Sequence, residues 1–440
     1  MQKCRGGLLR ATKWVLLAGL LVLLAYQVDT VRSDTSDAEQ VSDPTTTAVS
    51  SNAMACVQGN TAFALELYAR LKGTNGNLLF SPWRISSCMA MTFAGARGNT
   101  ERQMAAALHF DANQTQVHAA FAELRHFLVK PGRGIELNMA DGVWAQAGHP
   151  FLPSFLDVLS RSYDAEARLV DFRSQASSVA PEINEWVASH TKGRFRDVVA
   201  PESLTGDTRL VLVDAVYFKG VGQTKFNADA TKDFRFYRDS RHYVNCRMMS
   251  CTGRFRYGRN PDCELIELPY GSGAFSMLVL LPGRGSGLSA EPIVEPIDTF
   301  PDLELLESKL TPENLSSWLA SARWMEQPMD VALPKFNFRT STSLPKVLAG
   351  MGMPDAFRLP EADFSGMDGM TDLYVSVALH DAFVEVSEEG TTAGAVTQVH
   401  MSRGAGPPQF MADHPFVFLI RDNRTGVVLF LGRVTDPTAS

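Results

Sequence analysis

The residue types that do chemistry are present in this chain, but not in an enzyme's arrangement. No G-x-S-x-G elbow, H-E-x-x-H pair, Walker loop or strand–helix G-x-G-x-x-G occurs, and no C-x-x-C pair offers zinc or redox chemistry. Gly271-Ser-Gly273 reads as a plain turn. No catalytic residue, metal or cofactor is expected. Two other features carry chemical weight. Asp214 sits in the middle of the apolar run 210–218, where a buried carboxylate needs a partner or a proton. And Arg403 is the sole charged side chain between Glu389 and Asp413.

The segment around Arg403 has an unusual double character. It runs Glu388-Glu389-Gly390-Thr391-Thr392-Ala393-Gly394-Ala395 and on through Arg403-Gly404-Ala405 to Pro407 and Pro408. At period two, one face holds Thr391, Ala393, Ala395, Thr397, Val399 and Met401, none of them charged. Such a face can lie in a core as a strand. Gly394 and the Gly/Pro-rich end suit an exposed loop instead. The plain alternative is a flexible Ala/Gly/Thr linker.

The elements that must carry these residues follow from pattern. Leu210 to Phe218 is nearly all apolar, short and rich in β-branched residues, which predicts a central strand covered on both faces. Pro415–Ile420 and Val427–Leu431 flank the polar stretch 422–426 and predict a buried hairpin. Thr100 with Gln103 predicts a capping box before Met104–Leu108. Pro181 is expected to open a helix that puts Ile183, Trp186 and Val187 on one face, with Gly193 ending it. The Gly/Pro/Ser stretch 283–300 reads as a surface insertion.

Composition bounds the class. The chain has 440 residues, 45% of them apolar, and a net charge of -7, enough for one large core. Lys3, Arg5, Arg10 and Lys13 precede or abut a 13-residue apolar run, Trp14 to Tyr26, too short for an ordinary membrane span. Residues 1–25 therefore read as a signal peptide, and the expected localisation is secreted, with an uncleaved signal anchor as the alternative. Without those four cations, 37 basic side chains face 48 acidic ones, which gives no global pull toward nucleic acid or anionic membrane. Residues 26–55 read as a disordered polar tether, followed by one domain over 56–440. Asn113, Asn314 and Asn423 head glycosylation sequons. Five cysteines remain after the signal, an odd number, and Cys246 with Cys251 is a candidate bridge.

Ordered blocks over about residues 56–437 resemble the serpin family. They include Asn77-Leu-Leu-Phe-Ser-Pro82, Gly95-Ala-Arg-Gly-Asn-Thr100, Asp214-Ala-Val-Tyr-Phe-Lys-Gly220, Leu333-Pro-Lys-Phe336, Met351-Gly-Met-Pro-Asp-Ala-Phe357, Ala362-Asp-Phe-Ser-Gly-Met367, Glu388-Glu-Gly390, His414-Pro-Phe416 and Leu431-Gly-Arg-Val434. The resemblance implies an α+β fold of about nine helices around three β-sheets with an exposed reactive-centre loop. It also implies a monomeric inhibitor of serine proteases, whose cleaved loop inserts into the large sheet and traps the acyl-enzyme. A non-inhibitory carrier, storage or chaperone member is the alternative. The hinge, Glu388 to Ala395, carries no bulky or proline residue after its two glutamates, as an inserting loop needs.

The resemblance assigns further roles. Lys335 is expected to face Glu388 where the loop joins the sheet. Ser81, Arg84, Asp214 and His380 fall in the region that gates sheet opening, with a charge-assisted Asp214–His380 bond that weakens as rising pH neutralises the histidine; a neutral hydrogen bond without a pH role is the alternative. Where the family usually has Ser, Asn and Trp, this chain has Arg84, Asp214 and Gly222. Counting from Gly390 or back from Pro415 puts the cut bond at Gly404–Ala405, suited to an elastase-like protease. The chemistry of Arg403 favours Arg403–Gly404 and a trypsin-like target, because an acidic specificity pocket holds Arg strongly. Arg125, His126, Lys130 and Arg133 are read as a solvated face rather than a glycosaminoglycan site.

Overall fold

The structure is a computed structural model and describes residues 49–129, 132, 134–148, 150–165, 167–283, 301–388 and 408–439. Its helices, among these residues, are α1 (Ser51–Leu71), α2 (Pro82–Phe93), α3 (Gly98–Ala107), α4 (Gln114–Leu128), α5 (Pro153–Val158), α6 (Phe172–His190), α7 (Leu303–Ser308), α8 (Pro312–Ser321), α9 (Pro345–Gly350) and α10 (Ser365–Asp368). The strands form three sheets. One has seven strands: β1 (Leu78–Phe80), β16 (Val428–Val434), β15 (Phe416–Asp422), β9 (Phe275–Pro282), β8 (Cys263–Tyr270), β7 (Arg256–Arg259) and β10 (Arg323–Trp324), in that spatial order. A four-stranded sheet runs β14 (Gln409–Met411), β11 (Met329–Pro334), β6 (Tyr243–Gly253), β5 (Lys232–Tyr237). The five-stranded sheet runs β12 (Phe336–Ser343), β13 (Val377–Val386), β4 (Leu210–Gly220), β2 (Ile135–Gln146), β3 (Ala167–Val170). The α+β architecture with three sheets is the one expected, with ten helices.

The five-stranded sheet positions the site. Leu212, Val216 and Phe218 of β4 face the main core, whereas Val211, Val213 and Tyr217 face a second core under α6, formed with Val179, Ile183 and Val187. Burial on both faces is why the run reads as continuously apolar. The terminal hairpin forms as β15 and β16, antiparallel and buried throughout apart from Arg421.

Three local expectations differ. The polar stretch read as a tether through residue 55 stops earlier: Ser50 accepts from Ala53 N–H, capping α1, and also contacts Glu123. No capping box forms at Thr100. The helix begins at Gly98, and the Thr100 hydroxyl is buried, accepting from Asp363 N–H, while Gln103 accepts from Asp355 N–H. Tertiary partners have taken both side chains from the local motif. Pro181 lies inside α6 rather than opening it; the turn before it bends at Gln175, where φ is -131°. Gly193, at φ +73°, does follow the helix end, its N–H bonding to Ala188 O at 2.7 Å.

Candidate functional site

Strands β4 and β13 lie side by side and parallel, in register over nine residues from Val211/Val377 to Lys219/Glu385. Beyond β13, the chain passes Ser387 and Glu388 into residues 389–407, and re-enters at Pro408, whose carbonyl accepts from Asp330 N–H at 2.9 Å. The hinge residues Glu389 to Ala395 and both candidate bonds, Arg403–Gly404 and Gly404–Ala405, lie outside the described residues. So do Lys130 and Arg133.

A polar row crosses the sheet at its middle. Asp141 of β2 stands opposite Asp214 of β4, Asp214 opposite His380 of β13, and His380 opposite Thr342 of β12. These side chains point toward α2, whose N-terminus is capped by Ser81. Arg84 in its first turn bonds Asp214 Oδ1 through Nε at 3.2 Å and contacts Asp141 Oδ1 through Nη2. His380 Nδ1 lies 2.7 Å from Asp214 Oδ2, and the Ser81 backbone N–H donates to His380 Nε2 at 2.9 Å. The structure thus brings Ser81, Arg84, Asp214 and His380 together across the β4/β13 seam and adds Asp141, which the sequence did not single out.

The hydrogen bonds fix the histidine's form. A backbone N–H only donates, so Nε2 must accept and the ring proton sits on Nδ1, directed at Asp214. A neutral imidazole is complete in this setting. Raising pH therefore removes nothing from the pair, and the expected weakening by neutralisation of His380 has no basis in this geometry. The titratable member is Asp141. Burial, opposed by Arg84 and reinforced by the facing Asp214, pushes its carboxyl up to about 7. For Arg84, burial pulls downward, but the two carboxylates outweigh it and hold the guanidinium charged.

Other contacts tie the same seam. Tyr217 and Phe383 stack across it with centroids 5.5 Å apart, and Lys219 pairs with Glu385 at 2.8 Å. At its upper end Lys335 Nζ donates to Glu388 Oε2 at 2.9 Å. Burial raises the Glu388 carboxyl, but the Lys335 bond prevails and holds it below the usual range. Gly222 bridges to Tyr270, and both line a small cavity of about 30 Å³ with Val386 and Ser387.

The remaining candidates separate by geometry. Asn113 is exposed at the N-cap of α4, where its oxygen accepts from Gln116 N–H. The amide nitrogens of Asn314 and Asn423, where a glycan would attach, donate to Lys309 O at 2.8 Å and Gly273 O at 2.9 Å. Cys246 and Cys251 cannot bridge: five residues apart on β6 they are roughly 16 Å apart and point to opposite faces. All five described cysteines are free, and burial pushes each thiol up, to about 12 for Cys56 and about 11 for Cys246. Arg125 pairs with Asp164 at 2.5 Å. Among the described residues no group of His, Cys, Asp and Glu could hold a metal, and no helix is long and apolar enough to cross a membrane.

The five-stranded sheet is mixed, its adjacent parallel strands β4 and β13 are joined by a polar clasp, and the chain leaves the sheet from the end of β13. The family profile described as Serpin (serine protease inhibitor) matches residues 58–437. Leukocyte elastase inhibitor of Homo sapiens is 37% identical over 384 residues, covering 86% of this chain and 98% of that protein; the Xenopus tropicalis protein of the same name is 37% identical over 383. Among solved structures, uncleaved ovalbumin superposes with a TM-score of 0.76 at 28% identity, covering 87% of this chain and 100% of the other. A structure described as a tumour suppressing serpin gives 0.76 at 27%, with the same coverage. The chain belongs to the serpin family of protease inhibitors.

Proposed function

We propose that the chain is a secreted suicide-substrate inhibitor of trypsin-like serine proteases. The observation that carries this reading is the pair of adjacent parallel strands β4 and β13, joined to the rest of the chain by a long segment that starts at the end of β13. A strand returning from β13 runs antiparallel to both. Placed between them it would replace one parallel ladder by two antiparallel ones, which bond slightly better per residue. Gly390 to Arg403 is 14 residues, about 46 Å when extended, longer than the nine-residue register it would fill. Its uncharged alternating set, Thr391 to Met401, can enter a core at little desolvation cost. A protease that acylates itself on this loop would be carried along the sheet before it could deacylate.

Arg403 supports a trypsin-like target, with Arg403–Gly404 as the bond. The second reading, Gly404–Ala405 and an elastase-like protease, draws support from the relatives' name, leukocyte elastase inhibitor. Incubation with trypsin and, separately, with leukocyte elastase, followed by mass spectrometry of the fragment released from each detergent-stable complex, decides between them. A fragment beginning at Gly404 from the trypsin complex is expected, and Arg403→Ala should abolish that complex. A fragment beginning at Ala405, or a complex with elastase alone, overturns the trypsin-like assignment. Secretion rests on the basic n-region and the apolar run 14–26; expression in a secretory cell should place a chain lacking residues 1–25 in the medium, and retention of the intact chain on membranes contradicts it.

A further inference from the structure

The clasp holds one more carboxylate than its single fixed cation can neutralise. Asp141 and Asp214 are direct cross-strand partners, and like charges so placed repel. Arg84 from α2 serves both, and His380 from β13 offers only its Nδ1–H, to Asp214. Cys88, also on α2, is buried beside them, and burial pushes its thiol up, so it adds no charge. The charges therefore balance when the two carboxylates hold one proton between them.

Solvent reaches this proton from the Asp141 side. Side-chain exposure is 13% for Asp141, 7% for Arg84, 1% for Asp214 and 0% for His380. Arg84 and Asp141 line a cavity of about 430 Å³. Among the described residues, the charged and titratable groups that face it from neighbouring elements are Arg125, Asp164, Tyr163, Arg168 and His190. Arg125 is paired with Asp164, Arg168 lies over the Trp186 ring, and burial pushes the Tyr163 phenol well up. His190 Nδ1 bonds to Trp186 O at 2.7 Å. His118, bonded to Tyr163, is pushed down to about 4 by burial and stays neutral there.

We infer that the Asp141–Asp214 pair is a proton site coupled to the seam, so that opening between β4 and β13 takes up a proton and acid favours opening. The coupling follows from the hydrogen bonds. With the seam closed, His380 Nδ1–H neutralises part of the charge on Asp214, and the pair needs its proton less. When β13 moves away that donor is lost, Arg84 alone faces two carboxylates, and the proton is held more tightly. By linkage, a state that binds the proton more tightly gains population as pH falls. The inference deepens the insertion reading, because the seam is where the loop would enter, and supplies that reading with a regulator.

Against global unfolding the sign is opposite. The folded Asp141 carboxyl titrates at about 7 and an unfolded one near 3.9, so the fold holds a proton that the unfolded chain lacks between those values. Stability against unfolding then falls as pH rises through that window. An acid-loosened seam inside an acid-stabilised fold is a signature that a purely structural ion pair does not produce.

The experiment is native-state hydrogen exchange of the β13 amides in the full chain from pH 6 to 8.5, corrected for the intrinsic exchange rate, in wild type and Asp141→Asn. It does not depend on loop insertion, so it fails or succeeds separately from the inhibitor reading. In wild type the opening constant should rise by up to about tenfold per pH unit on acidification from 8.5 toward 7. Asp141→Asn, whose amide supplies a permanent donor, should be flat and close to the wild-type acid limit. Asp141→Ala, which also removes the shared proton, should be flat and serves if the amide variant folds poorly. A pH-independent wild type overturns the inference. So does an equal slope in all variants, which would place the acid response outside the Asp141–Asp214 pair.

Discussion

At the scale of single residues, the clasp shows how a few polar atoms in an apolar core depend on one another. Arg84 is the cation that allows Asp141 and Asp214 to be buried together. Arg84→Met keeps much of the volume and removes the charge, leaving the carboxylates without a cation. Removing one partner of a buried ion pair costs about 3–5 kcal/mol. The expected outcome is a Tm of the uncut chain lowered by several degrees, partly restored in Arg84→Lys, which keeps the charge but not the forked geometry. An unchanged Tm would mean that the guanidinium contributes nothing net. Part of this cluster was legible in the sequence. A carboxylate within Leu210–Phe218 demands a partner, and the resemblance to the family points to His380 as that partner. Asp141 was not legible, because its position opposite Asp214 is set by a register between strands more than sixty residues apart. The form of the histidine was not legible either, since it depends on one backbone N–H, that of Ser81.

At the scale of elements, the seam is held by a backbone ladder and by contacts of unequal worth. Lys335–Glu388 closes its upper end at 2.9 Å, with the lysine half exposed, and such pairs contribute about 0–1 kcal/mol. Its position gives it more influence than its energy, because the chain leaves β13 there. Glu388→Lys sets two cations against each other at that point. Expected is a shift from active monomer to polymer or loop-inserted monomer during mild heating, read on native gels; equal monomer yield and equal inhibition would show that the pair has no part in keeping the seam shut. The carboxyl of Glu388 is held low, so the attraction persists as pH falls until below the ordinary carboxylate range. Long apolar strands such as β4 and the β15/β16 hairpin were legible because burial writes itself as composition. Element starts were less so. Thr100 and Gln103 carry the letters of a capping box, yet both bond to the loop 355–363 instead, a choice made by long-range packing that no local pattern records.

At the scale of the whole molecule, the sheet has five strands and a topology that admits a sixth, antiparallel to both neighbours, between β4 and β13. Insertion would not be free. It must break the Asp214–His380 bond, the Tyr217/Phe383 stack and the Lys219–Glu385 pair, and displace α6, whose Val179, Ile183 and Val187 cover the outer face. Against that stand two new ladders and the burial of the alternate side chains from Thr391 onward. On the proposed mechanism the closed seam and the loop's tether at both ends hold back this gain in the uncut chain, and a protease's cut releases it. The measurement to make is the Tm of the full chain, by calorimetry under identical buffer, before and after a single cut in the loop by a protease that the chain does not trap. A rise of tens of degrees on cutting is predicted, with the fragments still associated. A cut chain that melts at the uncut temperature would mean that the loop does not enter the sheet, and would place this protein among carriers or storage proteins instead of inserting inhibitors.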